Sequence, residues 1–252
     1  MTYLTIGTIS VIGSLCLHGQ ASAEVDLGTA RAFAVLGGST VTNTGPTIIS
    51  GDLGVWPGSA VTGFPPGIVI GGVMHLSDTV ARTAQTDATS AYNTLSLSPR
   101  TQTLTGTDLG GLTLTPGVYF FASSAALTGR LTLDAQGNPD AEFIFQISST
   151  LITASNSSVL NINGGDGCNV YWQVGSSATL GTDTVFQGSI LAQTSITLNT
   201  RAAIVDGRAI AINGAVTLDS NTVSAGCIPT PGTALMISIT CIAMAGTRRR
   251  VN

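Results

Sequence analysis

The sequence predicts an all-β protein with one long α-helix, its short strands stacked as the coils of a β-solenoid. Three observations carry this. Only 9% of residues are charged, and the apolar residues are dispersed among Gly, Thr, Ser and Asn rather than gathered into one long run, a composition that suits many short strands and turns. The second half contains an irregular repeat with a period of about 18 to 20 residues, the length of one solenoid coil. A single segment breaks this rhythm with helical spacing.

The chain of 252 residues is long enough for one domain with a real core, and no shift of composition divides it. At its start, residues 4–17 are mostly apolar and Ala21-Ser22-Ala23 supplies the small residues that a signal peptidase accepts. A signal peptide over 1–23 and a mature domain over 24–227 are expected. Met1-Thr2-Tyr3 lacks the usual basic residue, and a buried first strand is the alternative.

From Asp78 to Leu95 the apolar residues Val80, Ala84, Ala88, Ala91 and Leu95 recur at helical spacing, with Ser77 or Asp78 as cap and Pro99 beyond the end. The stripe is small-sided, as suits a helix lying along a sheet. Further on, the segment from Ala178-Thr179-Leu180 to Ile190-Leu191-Ala192 repeats from Ile196-Thr197-Leu198 to Ala209-Ile210-Ala211. A truncated copy starts at Val216-Thr217-Leu218. Each copy runs through a Thr-Leu start, a polar turn, a large apolar residue, a Gly and an aliphatic-Ala finish. A run of antiparallel hairpins is the alternative for such spacing.

At the other end Pro229-Thr230-Pro231, the apolar run from Ala234 to Ala245 and Arg248-Arg249-Arg250 resemble a Pro-Glu-Pro type exosortase sorting signal without its acidic residue. The apolar run is shorter than the roughly 20 residues that cross a bilayer. Residues 228–252 are therefore expected to be a sorting tail or transient membrane anchor. Secretion or display at the cell surface follows, with membrane contact only through that tail.

Lys is absent and the net charge is −4, which leaves no basic footprint for nucleic acid. Of four cysteines, only Cys168 and Cys227 fall in the mature domain, where a disulfide and two separate buried thiols are both open; no zinc or redox spacing occurs. Catalysis would need converging acid and base groups, yet the mature domain has only His75 as an imidazole, and it reads as a capping or packing residue before the helix. Asp134, Gln136, Asn138 and Asp140 alternate faintly like a calcium loop, but Phe145 stands where the bidentate Glu belongs. A polar turn is the better reading, as it is for Gly164-Gly165-Asp166-Gly167. Neither an enzyme nor a cofactor is expected.

Several ordered motifs then resemble one family. Leu27-Gly28-Thr29-Ala30, Gly51-Asp52-Leu53-Gly54-Val55, the segment from Gly110 to Tyr119, Glu142-Phe143-Ile144-Phe145-Gln146-Ile147, Asn169-Val170-Tyr171-Trp172-Gln173-Val174-Gly175, and Asp206-Gly207-Arg208-Ala209 through Thr222-Val223 are similar to the microbial ice-binding proteins of the discontinuous β-solenoid type. The resemblance spans nearly all of residues 25–226. It implies a right-handed solenoid of roughly triangular cross-section with a helix along one side, and N-terminal strands that join the stack beyond the C-terminal ones. It also implies adsorption to the ice crystal surface and inhibition of ice growth and recrystallisation; a monomer is expected, with the oligomeric state left open.

On such a scaffold outward residues form a grid, with rungs about 4.8 Å apart and alternate residues about 6.6 to 6.8 Å apart. A Thr at each point offers a methyl and a hydroxyl on a stiff side chain. Some family members carry Thr, a small residue, any residue, then Thr or Asn. Thr153-Ala154-Ser155-Asn156 fits that pattern, and Thr179 with Thr182, Thr197 with Thr200, and Thr217 with Ser220 occupy matching places in successive repeats. These residues are the expected ice face, although Thr also suits any exposed strand. A surface adhesin or polysaccharide-binding solenoid is the competing reading, and an aromatic-lined groove would favour it.

Overall fold

The computed structural model describes residues 25–226; the expected leader, Cys227 and the expected tail lie outside the described residues. The repeat seen in the sequence is one coil. Ala178–Leu180, Val185–Gln187 and Ser189–Ala192 form three short strands, and Ile196–Leu198, Ala203–Val205 and Ala209–Ala211 stack on them in parallel with Ala178 opposite Ile196 and Val185 opposite Ala203. Repetition of this step builds three parallel sheets, of nine, seven and eight strands.

The stack is discontinuous in the chain. In the nine-stranded sheet Phe33–Gly37 lies between Ala209–Ala211 and Asp52–Val55; in the seven-stranded sheet Thr40–Thr44 pairs with Val216–Asp219; in the eight-stranded sheet Ile48–Ser50 pairs with Thr222–Ser224. A last coil, Ala60–Thr62, Ile68–Ile70 and Met74–Leu76, closes that end. The joint is fastened by buried Arg208, whose guanidinium donates to the carbonyls of Arg31 (2.6 and 3.0 Å) and Ala225 (3.2 Å) and to Ser189 Oγ. Burial lowers the Arg208 pKa to about 10.

Alternation along each strand sends every second side chain inward. Tyr119, Phe145 and Trp172 stack through neighbouring coils with centroid separations of 5.5 and 3.8 Å, Phe186 meets Trp172 at a tilt with 4.8 Å between centroids, and the Trp172 Nε1–H donates to the Gln187 carbonyl. Aliphatic residues at matching inward places, such as Val41, Val216 and Ile196, continue the core along the stack.

The helix runs over Thr79–Leu97, two residues past the expected end, with Asp78 capping it by accepting from Ala81 N–H. His75 has the packing and capping-site role expected of it: Nδ1 lies 2.8 Å from Asp78 and the ring packs on Phe33. Of the expected stripe, Ala84, Ala88, Ala91 and Leu95 are buried on the nine-stranded sheet against Leu36, Ile144, Leu191 and Ile210. Val80 is a correction: it is 47% exposed, and Ala81 and Gln85 take the inward places instead. Gln85 belongs there because its Nε2 donates to the carbonyls of Ala211 and Ile212, while Gln146 Nε2 reaches the helix end at Leu95 and Ser98. The helix therefore covers the outer face of the nine-stranded sheet and leaves the other two sheets facing solvent.

Candidate functional site

The seven-stranded sheet collects threonines from both ends of the chain. Its register sets Thr179 opposite Thr197, Thr197 opposite Thr217, Thr217 opposite Thr42 and Thr42 opposite Thr62. All five are outward and half-buried or exposed, since their strand neighbours Leu180, Leu198, Leu218 and Val41 fill the core. Five threonines thus stand one per rung on five adjacent coils; with about 4.8 Å per rung the rank is about 19 Å long. The parallel position two residues earlier carries Ser177, Ser195, Ala215, Thr40 and Ala60, again small and uncharged. On the two coils beyond Thr179 the rank continues as Ile152 and Ala126.

Thr179, Thr197 and Thr217 are therefore brought together as expected. Thr182 and Thr200 lie along one border, at the corner with the eight-stranded sheet, in a line with Ser155 and Asp219; the Thr200 hydroxyl donates to Asp219. Beside that line Asn156, Asp183, Arg201 and Ser220 hold left-handed backbone, with φ of 60°, 57°, 60° and 56°. Asn156 and Ser220 are placed by that corner turn, a conformation Asn in particular tolerates. Asp183 and Arg201 pair across it at 2.7 and 2.8 Å, and the guanidinium holds the Asp183 carboxyl below its usual pKa.

Thr153 is a correction. Register places Ile152, not Thr153, in line with Thr179, so Thr153 shares the inward place of Leu180 and is 3% exposed. Its hydroxyl meets that of Thr184 at 2.8 Å and accepts from Gly181 N–H. The four-residue pattern starting at Thr153 is one residue out of step with the later repeats, and in a strand one residue reverses the face.

Thr42 and Thr62, with Thr40 and Thr44 beside them, went unrecognised because the topology, not the repeat, brings them to this sheet. Their signal was the period-two recurrence of Thr in Thr40-Val41-Thr42-Asn43-Thr44 and the alternation in Ala60-Val61-Thr62.

The other candidate chemistry reads as structure. Asp134 Oδ1 accepts from Gln136 N–H and Asn163 Nδ2, and Asn138 Oδ1 accepts from Asp140 N–H, as in polar turns. Asp166 caps the short 3-10 turn Gly167–Asn169. Among the described residues no group of three or more His, Cys, Asp or Glu side chains is placed to hold a metal ion. Phe143, Phe145, Tyr171 and Trp172 are all buried, so none lines a surface groove.

Comparison with known proteins bears on what such a face does. A family model described as ice-binding-like matches residues 35–224. The chain is 58% identical over 229 residues to an ice-binding protein of Nostoc sp. (strain HG1), covering 91% of this chain and 84% of that one. It is 30% identical to an ice-binding protein of Leucosporidium sp. (strain AY30), over 92% and 95% of the two chains. Among solved structures, an ice-binding protein from an Antarctic biological consortium superposes with a TM-score of 0.78 at 44% identity, covering 88% of this chain and 96% of that chain. One from the Antarctic ascomycete Antarctomyces psychrotrophicus superposes with a TM-score of 0.76 at 40% identity, covering 80% and 98%.

Proposed function

The chain belongs to the ice-binding-like family, and from that premise we propose that it adsorbs to ice through the outer face of its seven-stranded sheet, slowing ice growth and recrystallisation. The observation that carries the reading is the in-register rank Thr179, Thr197, Thr217, Thr42 and Thr62. Each threonine presents a methyl group and a hydroxyl at a fixed spacing, on a β-branched side chain with little rotamer freedom to lose. A single hydrogen bond to ice contributes about 1 kcal/mol net, so adhesion depends on many contacts made together by a surface that is already ordered. The solenoid supplies that order, because the backbone of each rung is hydrogen-bonded to the next and the inward residues are locked in the core.

Charge is confined to the border of this face, where Asp219 accepts from the Thr200 hydroxyl. The two ranks at the Thr179 and Ser177 positions are Thr, Ser and Ala on all five coils, and the Asp183–Arg201 ion pair sits on the corner. The reading includes export of the mature domain as a monomer and no catalytic role. Growth of a single ice crystal in a solution of the protein tests it. Faceted growth is expected, whereas a round disc indistinguishable from that in buffer contradicts it.

A further inference from the structure

The five coils that carry the threonine rank carry a second uncharged surface on the eight-stranded sheet. Register there aligns Ile68, Ile48, Thr222, Ala203 and Val185, one per rung. Two residues further along the strands stand Ile70, Ser50, Ser224, Val205 and Gln187. The core does not need these aliphatics, since the alternate residues Ile49, Val223, Ile204 and Phe186 fill it. Yet Ile68, Ile48 and Val185 stand 49%, 38% and 48% exposed. Charge enters this rank two coils beyond Val185, at Arg130, on the coil whose place in the threonine rank is taken by Ala126. On the threonine face the rank stays uncharged through Ala126 and meets a charged residue one coil further, at Asp108.

We propose that this strip of the eight-stranded sheet is a second ice-contacting surface, which meets the crystal mainly through methyl groups and lets the protein dock on ice in a second orientation. The inference rests on the reading that the threonine face binds ice. Three features select ice as the occupant. The strip lies on the same five coils as the threonine face and adjoins it across their corner turns, where Asp183, Arg201 and Asp219 stand between the two surfaces. Its side chains are mostly β-branched and stiff, repeating at the rung spacing of about 4.8 Å. Two ranks about 7 Å apart and about 19 Å long offer roughly a few hundred Å², well short of the roughly 800 Å² per partner of a stable protein interface.

The test is decoration of a single-crystal ice hemisphere by the fluorescently labelled full-length chain, with Thr217→Tyr on the threonine face, Thr222→Tyr and Ile48→Lys on the second face, and circular dichroism to verify folding. Thr222→Tyr adds bulk at an exposed position, and Ile48→Lys changes polarity without bulk. The proposal expects each second-face variant to lower fluorescence by about tenfold on one set of planes. Thr217→Tyr should clear a different set, and combining it with Thr222→Tyr should clear both. Wild-type decoration by both second-face variants overturns the second surface and leaves the threonine reading intact if Thr217→Tyr still fails. A wild-type dimer in sedimentation that Ile48→Lys dissociates overturns it in favour of self-association. Wild-type protein that decorates no plane removes the threonine reading and this inference together.

Discussion

Thr42 and Thr217 lie 175 positions apart in the chain but on adjacent rungs, with their hydroxyl oxygens 3.4 Å apart. The contact exists because the N-terminal coils are inserted beyond the C-terminal ones, which extends a rank of three threonines to five. Thr42→Tyr is accordingly expected to impair ice activity as severely as Thr197→Tyr, since both disturb the middle of one array. Both side chains point outward, so stability should change by no more than about 0.5 kcal/mol. Thermal hysteresis and recrystallisation assays on the two variants check this. Full activity in Thr42→Tyr would detach the N-terminal coils from the ice face.

Thr153 makes the opposite prediction. Thr153→Val keeps the shape but removes the hydroxyl that meets Thr184 and accepts from Gly181 N–H. A buried donor left without a partner costs about 1–3 kcal/mol. Chemical denaturation should show that loss while ice activity, measured well below the melting temperature, stays at the wild-type level. Lost activity at unchanged stability would return Thr153 to the functional face.

Acid stability follows from the carboxylates. Hydrogen bonds from Ala81 N–H and His75 hold Asp78 low, Asn163 and Gln136 do so for Asp134, and Arg201 for Asp183. At Asp108 desolvation raises the pKa, but hydrogen bonds from Gly110 and Thr128 outweigh it and the net shift is downward. A carboxylate with a folded pKa below its unfolded value contributes stability that is fully present above the unfolded value of about 3.9 and is lost as pH falls through the folded value. Buried Arg208, at about 10 against an ordinary 12.5, stays protonated in both states at neutral and acid pH, and alters the pH dependence only between those two values. The melting temperature should therefore stay nearly level from about pH 8 to about pH 5 and drop below about pH 4. A steep loss between pH 7 and 5 would contradict this assignment.

Cys168 is disulfide-bonded, and its partner lies outside the described residues. A Cβ added at Gly167 would come within 2.5 Å of the Asp206 carbonyl oxygen, and one at Gly226 within 2.0 Å of its Oδ1, so both lie beside Asp206 and Cys227 follows directly on a residue near the Cys168 turn. We propose the pair Cys168 and Cys227, which would tie the last described coil to the short turn at Gly167–Asn169. Peptide mapping of the unreduced protein should recover that pair, and reduction should lower stability by about 2–4 kcal/mol. Recovery of Cys168 linked to Cys16 or Cys241 would contradict the pairing.

The coil was legible because its signals are local. The segment starting at Ala178-Thr179-Leu180 announces strand, corner and strand in an order that the next coil repeats, and Asp78 with Pro99 brackets the helix. The face was less legible, since period-two alternation gives opposite answers for a shift of one. Thr153 fits a surface pattern in isolation, and only its pairing beside Leu180 sends it inward. Val80 and Ala81 pose the same ambiguity on the helix, settled by where the nine-stranded sheet lies. Thr42 and Thr62 needed the topology, because nothing in the spacing of a linear repeat says that residues 40–62 continue a rank that ends at Thr217.

Ice-affinity partitioning of the full-length chain beside its Thr217→Tyr variant tests the central claim most directly. A slowly growing ice front should engulf the wild-type protein and concentrate it in the ice fraction, while the folded variant stays largely in the liquid. Exclusion of folded wild-type protein from the ice, or equal enrichment of the variant, would contradict adsorption through the threonine rank.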